Sequence, residues 1–351
     1  MTGVHERCAA RSPGASARHD ASSDPMKALA YVHAHDLEHF AITEMDQPPP
    51  EPRPHDLVVE VRAFSTNPVD YKVRSSRSGT PDAPVILGWD GAGVVTALGS
   101  DAKGFSVRDD VYFAGDLARA GTYAEQVAVD ARLVARKPTR LDFAEAAALP
   151  LTSLTAWEAL VDLGAAGNVL VMGGAGGVGS VALQILKATT SAQVIATASR
   201  PETVAWCREL GADHVIDHRR SLEPQLAHLG IRELDFVFST NGTDAMLPQI
   251  TSLLRPFGHL ALIDDPAVLD IAPLKRKSLT VSWELMFTKS LFGRFLESQG
   301  AILADVAALV DAGKVRSTQR TVLRGFTAAN VRRAHELLEA GTSIGKIVVA
   351  R

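Results

Sequence analysis

Short apolar runs, bounded by polar residues, glycine and proline, recur along most of this chain of 351 residues. Between residues 150 and 285, six such runs have the length of strands, and stretches with helical periodicity separate most of them. Apolar side chains after the first run follow i, i+3, i+4, i+7, i+8 spacing and predict a buried helix face: Val178, Val181, Ala182, Ile185 and Leu186. This alternation predicts an α/β fold with a doubly wound parallel sheet of six strands. The six runs are residues 169–173, 194–197, 214–217, 234–240, 259–264 and 279–283.

The regions on either side of this one have a different pattern. Residues 26–149 contain short strand-like runs between turns rich in proline and glycine, which predicts a mostly β domain. Further along, two helical stretches at 301–313 and 328–341 precede a terminal strand-like run at 345–350. Residues 1–25 are rich in Ala, Ser and Arg and lack apolar periodicity. We interpret them as a leader without fixed structure or as a mis-assigned start.

Composition narrows the class of protein. The chain is 46% hydrophobic and 22% charged, with a formal net charge of -4, so it has no basic footprint for nucleic acid and no polybasic membrane patch. No apolar run reaches the roughly 18–20 residues that a membrane-spanning helix needs. Its only two cysteines, Cys8 and Cys207, argue against a disulfide framework. We therefore expect a cytoplasmic protein that binds small molecules.

The strongest chemical signal is GGAGGVGS at residues 173–180. It contains a G-x-G-x-x-G pattern directly after a buried strand and directly before an amphipathic helix, which is the context of a dinucleotide-binding turn. Such glycines let the backbone approach a pyrophosphate, and the helix N-terminus offers free N–H groups to it. The residues expected to contact the dinucleotide here are Gly174, Gly176, Gly177, Val178 and Gly179.

The end of the second strand of this unit selects between NAD and NADP. An NAD-selective site usually places a carboxylate there, whereas this chain has Ser199 and Arg200. A hydroxyl and a guanidinium favour a 2′-phosphate, so the pattern predicts NADPH, with His218 at the end of the third strand as a further candidate. The alternatives are a solvated surface arginine at a helix start and an ordinary turn histidine.

These motifs, together with NPVDYKVR at residues 67–74, LGADHVIDH at 210–218 and the run KRKSLTVSWELMF, resemble the zinc-free quinone oxidoreductase branch of the medium-chain dehydrogenase/reductase superfamily. The chain is also similar to proteins often labelled zinc-binding alcohol dehydrogenases. The resemblance covers Met26 to Arg351 and implies a GroES-like β-rich domain beside a Rossmann domain. It also implies cofactor contacts at Thr155 and Lys346. The structural alternatives are that Thr155 is an ordinary helix residue and that Lys346 is a solvent-facing charge on a strand.

The resemblance invites a test for zinc. It implies that zinc-dependent members use a Cys in the segment matching NPVD, a His in the segment matching LGWDGAG, and a four-Cys lobe after them. This chain has Asn67 and the pair Trp89–Asp90 at those places, and no cysteine lies between Cys8 and Cys207. A structural zinc site needs four ligands and a catalytic one needs three protein ligands. We predict a zinc-free protein.

Candidate catalytic groups lie in NPVDYK, which the resemblance puts at the substrate cleft. Asn67 is predicted to donate an amide hydrogen bond, and Tyr71 a phenol, to the substrate oxygen. The structural alternative is that Asn67 and Asp70 cap a turn before a helix while Tyr71 packs. The carboxyl ends of parallel strands form the dinucleotide crevice, which adds three cofactor candidates: Ser239, Thr240 and Ile263.

Together these observations predict an NADPH-dependent reductase that transfers a hydride to a quinone or an α,β-unsaturated carbonyl. Two alternatives stay open: a redox-silent NADPH-binding sensor or structural protein, and a zinc-dependent alcohol dehydrogenase, which the missing ligands disfavour. We expect a GroES-like domain over 26–149, a Rossmann domain over 150–285, and a C-terminal segment over 286–351 that completes the first domain. By analogy with relatives, we expect a homodimer.

Overall fold

The computed structural model of the chain describes residues 24–351. The leader predicted over 1–25 therefore falls almost entirely outside the described residues. The predicted α/β class, with a β-rich part and a doubly wound part, is confirmed.

The β-rich part begins directly at the run that starts with Met26. Its longest strand, over residues 56–65, is mostly apolar and is buried along almost its whole length. Two helices interrupt the strands: α1 (Pro68–Ser76) and α2 (Phe143–Ala147). The strands are β1 (Met26–Tyr31), β2 (Thr43–Gln47), β3 (Asp56–Ser65), β4 (Val85–Ile86), β5 (Asp90–Leu98), β6 (Asp110–Phe113), β7 (Gln126–Asp130) and β8 (Val134–Arg136).

The doubly wound part has the six predicted strands, all parallel, in the order β11-β10-β9-β12-β13-β14. This is the strand order of a Rossmann fold, whose ligand crevice lies where the order reverses. The strands are β9 (Asn168–Val171), β10 (Gln193–Thr197), β11 (His214–Ile216), β12 (Leu234–Ser239), β13 (Leu254–Leu262) and β14 (Thr280–Trp283). The helices are α3 (Pro150–Ala156), α4 (Gly177–Thr189), α5 (Pro201–Glu209), α6 (Leu222–His228) and α7 (Thr243–Leu253).

Alternation along these strands builds two hydrophobic layers, one on each face of the sheet. On β9, Val169 and Val171 belong to the larger core, whereas Leu170 between them belongs to a second cluster on the opposite face. Successive strand side chains point to opposite faces, so both faces of a parallel sheet must be apolar. This burial explains why the strands of this region have unbroken apolar runs in the sequence.

The chain then returns to the β-rich part through α8 (Thr288–Phe292), α9 (Leu296–Asp311), β15 (Gln319–Arg324), α10 (Ala328–Glu339) and β16 (Lys346–Ala350). Strand β16 pairs with β3 in a seven-stranded sheet of order β15-β16-β3-β5-β6-β8, with β7 also paired to β3. This pairing brings the last residues of the chain next to the segment after β3, which contains Asn67. Among the described residues, no helix has the length and hydropathy needed to cross a membrane.

Candidate active site between the two domains

The glycine-rich segment forms a tight turn from β9 into α4. Gly173 has a left-handed backbone, with φ of 71°, and the N–H of Gly176 donates to its carbonyl at 3.0 Å. Gly176 is the N-cap of α4, so the free N–H groups of the first helical turn begin at Gly177. A Cβ atom at Gly179 would lie 2.3 Å from the carbonyl oxygen of Gly173. The turn therefore requires glycine there, as a dinucleotide-binding turn does.

The C-terminal segment of the β-rich domain lies directly against this turn. The N–H of Gly345 donates to the carbonyl of Ala175 at 2.9 Å. A Cβ atom at Gly177 would approach the Cδ atom of Lys346 to 3.0 Å. The helix with Thr155, which is buried, packs on α4. The predicted dinucleotide turn thus faces the junction between the two domains.

The residues predicted to read the ribose gather beside this junction. Arg200 donates from Nη2 to the carbonyl of Thr342 at 2.8 Å, and its Nε lies 3.2 Å from the carboxylate of Glu202. Sequence reasoning missed Arg219, whose Nη2 donates to the carbonyl of Ser199 at 2.7 Å. The structure places an exposed His218 next to it. Two guanidinium groups therefore flank Ser199, where an NAD-selective site would have a carboxylate.

The carboxylate directly after the third strand, that of Asp217, is already engaged. Asp217 accepts two side-chain hydrogen bonds from Arg219, at 3.0 and 3.1 Å. These bonds, with the backbone N–H of Arg219, lower the pKa of Asp217 to about 2. Both guanidinium groups are thus paired, Arg219 with Asp217 and Arg200 with Glu202, so a 2′-phosphate would bind the N–H donors that these carboxylates leave.

The side chain of Lys346 points into the protein. The alternative that it is a solvent-facing charge on a strand is therefore wrong. Its ammonium donates to the amide oxygen of Asn67, to the carbonyl of Thr66 at 2.9 Å, and to Oδ2 of Asp90 at 3.1 Å. Lys346 and Asp90 are 3% and 0% exposed, so this ion pair is buried. A predicted catalytic residue and a predicted cofactor residue thus contact each other directly.

Asp90 is the centre of this network. Its Oδ2 also accepts from the hydroxyl of Ser65 at 2.6 Å and from the amide of Asn67 at 2.7 Å, and its Oδ1 accepts from the N–H of Leu151 at 2.7 Å. The hydroxyl of Thr122 donates to the main-chain oxygen of Asp90 at 2.8 Å. With Lys346, Asp90 therefore accepts hydrogen bonds from five donors. The network joins β3, β5, β16 and α3, and so fixes the two domains at their junction.

A second buried carboxyl lies beside this network. Asp70 accepts from the backbone N–H groups of Asn67 at 2.6 Å and Gly88 at 3.0 Å, which confirms the capping alternative for Asp70. Burial raises the pKa of Asp70 to about 7, and Asp90 acts in the same direction, against the N–H donors and Lys346. The site therefore contains a carboxyl group poised to change its charge near neutral pH.

Tyr71 is half-buried on α1, and its phenol has no hydrogen-bond partner among the described residues. The next residue, Lys72, reaches across to the other domain and donates to Asp265, in the loop after β13, at 2.6 Å. The phenol is therefore free to bond a substrate. Its predicted role stays a prediction, as does that of Asn67, which has one amide N–H left beyond its bond to Asp90.

The strand-end candidates are partly engaged in local contacts. Ser239 is fully buried and shares a hydrogen bond of 2.7 Å with the hydroxyl of Thr243. Thr240 donates to the carbonyl of Met172 at 2.9 Å and lies beside Gly173. The N–H of Ile263 donates to the carbonyl of Ser239 at 3.2 Å. All three lie at the carboxyl edge of the sheet, and their contacts with a dinucleotide stay predictions.

The residues present do not fit the zinc site of the family. At its ligand places the chain has an amide, Asn67, and the buried indole of Trp89, and the ammonium of Lys346 occupies the space between Asn67 and Asp90. Across residues 24–351, no group of three or more His, Cys, Asp or Glu side chains is arranged to hold a metal ion.

The glycine turn, the Rossmann strand order and the β-rich partner domain define a class of oxidoreductases that use a nicotinamide dinucleotide. Family models match the two parts: an alcohol dehydrogenase GroES-like domain over residues 53–139, and a zinc-binding dehydrogenase over residues 210–349. The zinc-type alcohol dehydrogenase-like protein of Staphylococcus aureus strain Mu50 is 35% identical over 341 residues, covering 92% of this chain and 99% of the relative. The chain belongs to this zinc-type alcohol dehydrogenase-like branch of the medium-chain dehydrogenase/reductase superfamily.

Solved structures give the same assignment. A protein from Rhizobium etli CFN 42, described as a candidate zinc-dependent alcohol dehydrogenase, is 46% identical with a TM-score of 0.90, over 93% of this chain and 98% of that chain. The quinone oxidoreductase from Coxiella burnetii is 29% identical with a TM-score of 0.76, over 93% and 99%. The protein is therefore an oxidoreductase that depends on NAD(P)H.

Proposed function

We propose that this protein is a zinc-independent, NADPH-dependent reductase that transfers a hydride to quinones or α,β-unsaturated carbonyls. The observation that carries the proposal is the network of Asn67, Asp90 and Lys346 at the place of the family's zinc ligands. A lysine ammonium already neutralises the buried carboxylate there. A zinc ion would therefore have to displace a satisfied ion pair and would still lack its Cys and His ligands.

Without a metal, an acceptor that is electrophilic by itself is favoured. A quinone or an enone delocalises the developing oxyanion, so hydrogen bonds can stabilise it, whereas a simple ketone gains more from a Lewis acid. When bound, the nicotinamide supplies the hydride. The free phenol of Tyr71 and the remaining amide N–H of Asn67 would donate hydrogen bonds to the substrate oxygen, where they stabilise the charge that forms. Lys72 and Asp265 hold α1 against the loop after β13 at the opening.

NADPH is the proposed form of the cofactor. Arg200 and Arg219 flank Ser199 at the end of β10, and the guanidinium of Arg200 keeps N–H groups beyond its bonds to Thr342 and Glu202. A guanidinium provides five donors, and a phosphate accepts two in parallel. A carboxylate in the place of Ser199 would repel the 2′-phosphate, and this chain has none there.

The deciding experiment is turnover without metal. Protein purified with a chelator is mixed with NADPH, and nicotinamide absorbance is followed with a panel of quinones, enones and simple ketones. Oxidation by quinones or enones, unchanged by added chelator, supports the proposal. Activity only with simple ketones or alcohols after zinc is added would refute zinc independence. Tight NADPH binding without oxidation by any acceptor would instead favour the redox-silent NADPH-binding alternative.

We also propose that the protein is a homodimer. Strand β14 is an edge strand, and its unpaired N–H and C=O groups would pair with a second copy. Exposed apolar side chains continue from it: Trp283, Leu285, Leu291, Phe292 and Phe295. Phe292→Asp should lower the mass measured by light scattering, whereas Val107→Asp, also at an exposed apolar position, should not. A monomeric wild-type protein would refute the proposal.

A further inference from the structure

A second cluster of charged side chains lies outside the site described above, where four elements meet. Glu158 comes from one turn of π-helix, Trp157–Val161, which directly continues α3. Glu284 is the first residue after β14, Lys289 lies on α8, and Gln299 lies on α9. Single π-helical turns inside helices are frequent at functional sites.

The cluster is held together by two donors. Lys289 Nζ lies 3.1 Å from Oε1 of Glu158. The amide of Gln299 donates to the same oxygen at 3.3 Å and to the carbonyl of Met286 at 2.6 Å. Lys289 also donates to the hydroxyl of Ser298 at 2.8 Å, and neither Lys289 nor Gln299 donates to Glu284.

Three acceptors in this cluster have no donor. Glu284 is 9% exposed, and neither of its carboxyl oxygens has a hydrogen-bond partner among the described residues; Oε1 of the fully buried Gln299 has none either. An ionised carboxylate that is buried without donors loses its hydration and gains nothing in return. Glu284 is therefore not stable as an anion in this arrangement.

The charges lead to the same conclusion. Two ionised carboxylates and one ammonium would leave a net negative charge in a buried site. Burial raises the pKa of Glu284 well above its usual range, and the neighbouring Glu158 raises it further, while Lys289 opposes both. Burial also raises the pKa of Glu158, with a small contribution from Asp162 in the same direction and Lys289 against it. One proton on Glu284 removes the excess charge and supplies an O–H donor toward Glu158.

We propose that Glu158 and Glu284 share one proton, and that this carboxylic acid–carboxylate pair is a pH-sensitive lock on residues 284–299. This stretch connects the Rossmann sheet to the β-rich domain, and the buried Phe287 within it packs edge-on against Trp89, with ring centroids 6.1 Å apart. Loss of the proton places two anions side by side, which drives the first residue of the stretch away from the π-helical turn. The proposal does not depend on the identity of the substrate.

The test compares the wild type with Glu284→Gln, which keeps the shape and provides a permanent N–H donor to Glu158. A group whose pKa is raised by folding contributes stability below its ordinary pKa, and this stability is lost as the pH rises through the folded pKa. The Tm of the variant relative to the wild type should therefore rise steadily from mildly acidic to alkaline pH. Glu38→Gln, at an exposed loop position, should show no such trend.

Two further measurements separate the shared proton from the lock. At neutral pH, the infrared band of protonated carboxyl groups should be stronger in the wild type than in Glu284→Gln, because Asp70 contributes to this band in both proteins. At alkaline pH, amide hydrogen exchange in residues 284–299 should accelerate in the wild type beyond the intrinsic pH effect, but not in the variant. A band of equal strength in both proteins refutes the shared proton, and equal exchange in both proteins refutes the lock. If Glu284→Gln does not fold, Glu284→Met, an apolar side chain of similar length, serves instead, because it also removes the buried carboxyl group and should show the same pH trend relative to the wild type.

Discussion

A buried histidine in the β-rich domain should make this protein sensitive to mild acid. His335 is fully buried, and Nη1 of Arg74 donates to its Nδ1 at 2.8 Å. Because an arginine only donates, Nδ1 must be the acceptor, and the proton of the neutral ring lies on Nε2, 3.1 Å from the hydroxyl of Tyr123. A second proton would remove the acceptor and put a cation beside Arg74. Burial, together with the charges of Arg74 and His35, lowers the pKa of His335 to about 3.

The size of the effect follows from the two pKa values, about 3 in the folded protein against the ordinary 6.5. The folded state excludes a proton that the unfolded state binds, so the stability is present above pH 6.5 and is lost as the pH falls towards 3. Each pH unit below the ordinary value removes about 1.4 kcal/mol, so acidification to pH ~5 should cost about 2 kcal/mol of unfolding free energy from this group alone.

The assay is urea unfolding of the wild type and His335→Gln at several values between neutral pH and pH ~5. Glutamine offers an acceptor to Arg74 and a donor to Tyr123 without a titratable group, so the variant should start less stable, from lost packing, but decline less steeply. His33→Gln, at an exposed position, should follow the wild type. Parallel curves for the wild type and His335→Gln would refute the reasoning.

Three further changes test the site and the fold. Arg200→Ala should weaken NADPH binding roughly tenfold or more relative to NADH, since only NADPH has the 2′-phosphate; equal losses in titrations with both cofactors would contradict the assignment. Lys346→Met should cost about 3–5 kcal/mol of unfolding free energy, because it leaves the charge of Asp90 buried without its cation. Lys187→Met, which breaks an exposed ion pair, should cost about 1 kcal/mol or less when both variants are unfolded with urea. Arg108→Gly should raise the stability by up to about 1 kcal/mol, because Arg108 has a left-handed backbone with φ of 78°; a lower Tm would contradict this.

The parts of the fold that sequence could predict are those where burial decides the residue type. Every strand of the Rossmann sheet was predicted, because a strand covered on both faces must be apolar throughout. Strands β2, β4, β6, β8 and β15 were not predicted. Of these, TEMDQ in β2 and QRTVLR in β15 are polar because each lies at the edge of its sheet and is only partly buried. Their strand conformation comes from pairing with β1 and β16, which is a tertiary contact without a local signal.

The candidate site shows the same limit more sharply. The glycine turn could be predicted because each glycine answers a local need, such as the close approach of Gly179 to Gly173. Arg219 was missed because its contact with Ser199 joins two loops 20 residues apart. Glu284 was missed because the apolar run WELMF predicts a packed or interface segment, and a protonated glutamate behaves as part of it. Its burial becomes visible only when Glu158 and Gln299 are placed around it.

Asn67, Asp90 and Lys346 illustrate how the residues at one site depend on one another. From the sequence, Asn67 and Trp89 only indicate that a metal would lack its ligands, and they leave the buried carboxylate of Asp90 without a counter-charge. The structure shows that Lys346, 256 residues further along the chain, provides that charge, because β16 pairs with β3 and brings its first residue to the junction. An uncompensated carboxylate there would be strongly destabilising. The side chain of Lys346 also lies beside Gly177 in the glycine turn. Removal of Lys346 should therefore disturb both the ion pair with Asp90 and the glycine turn.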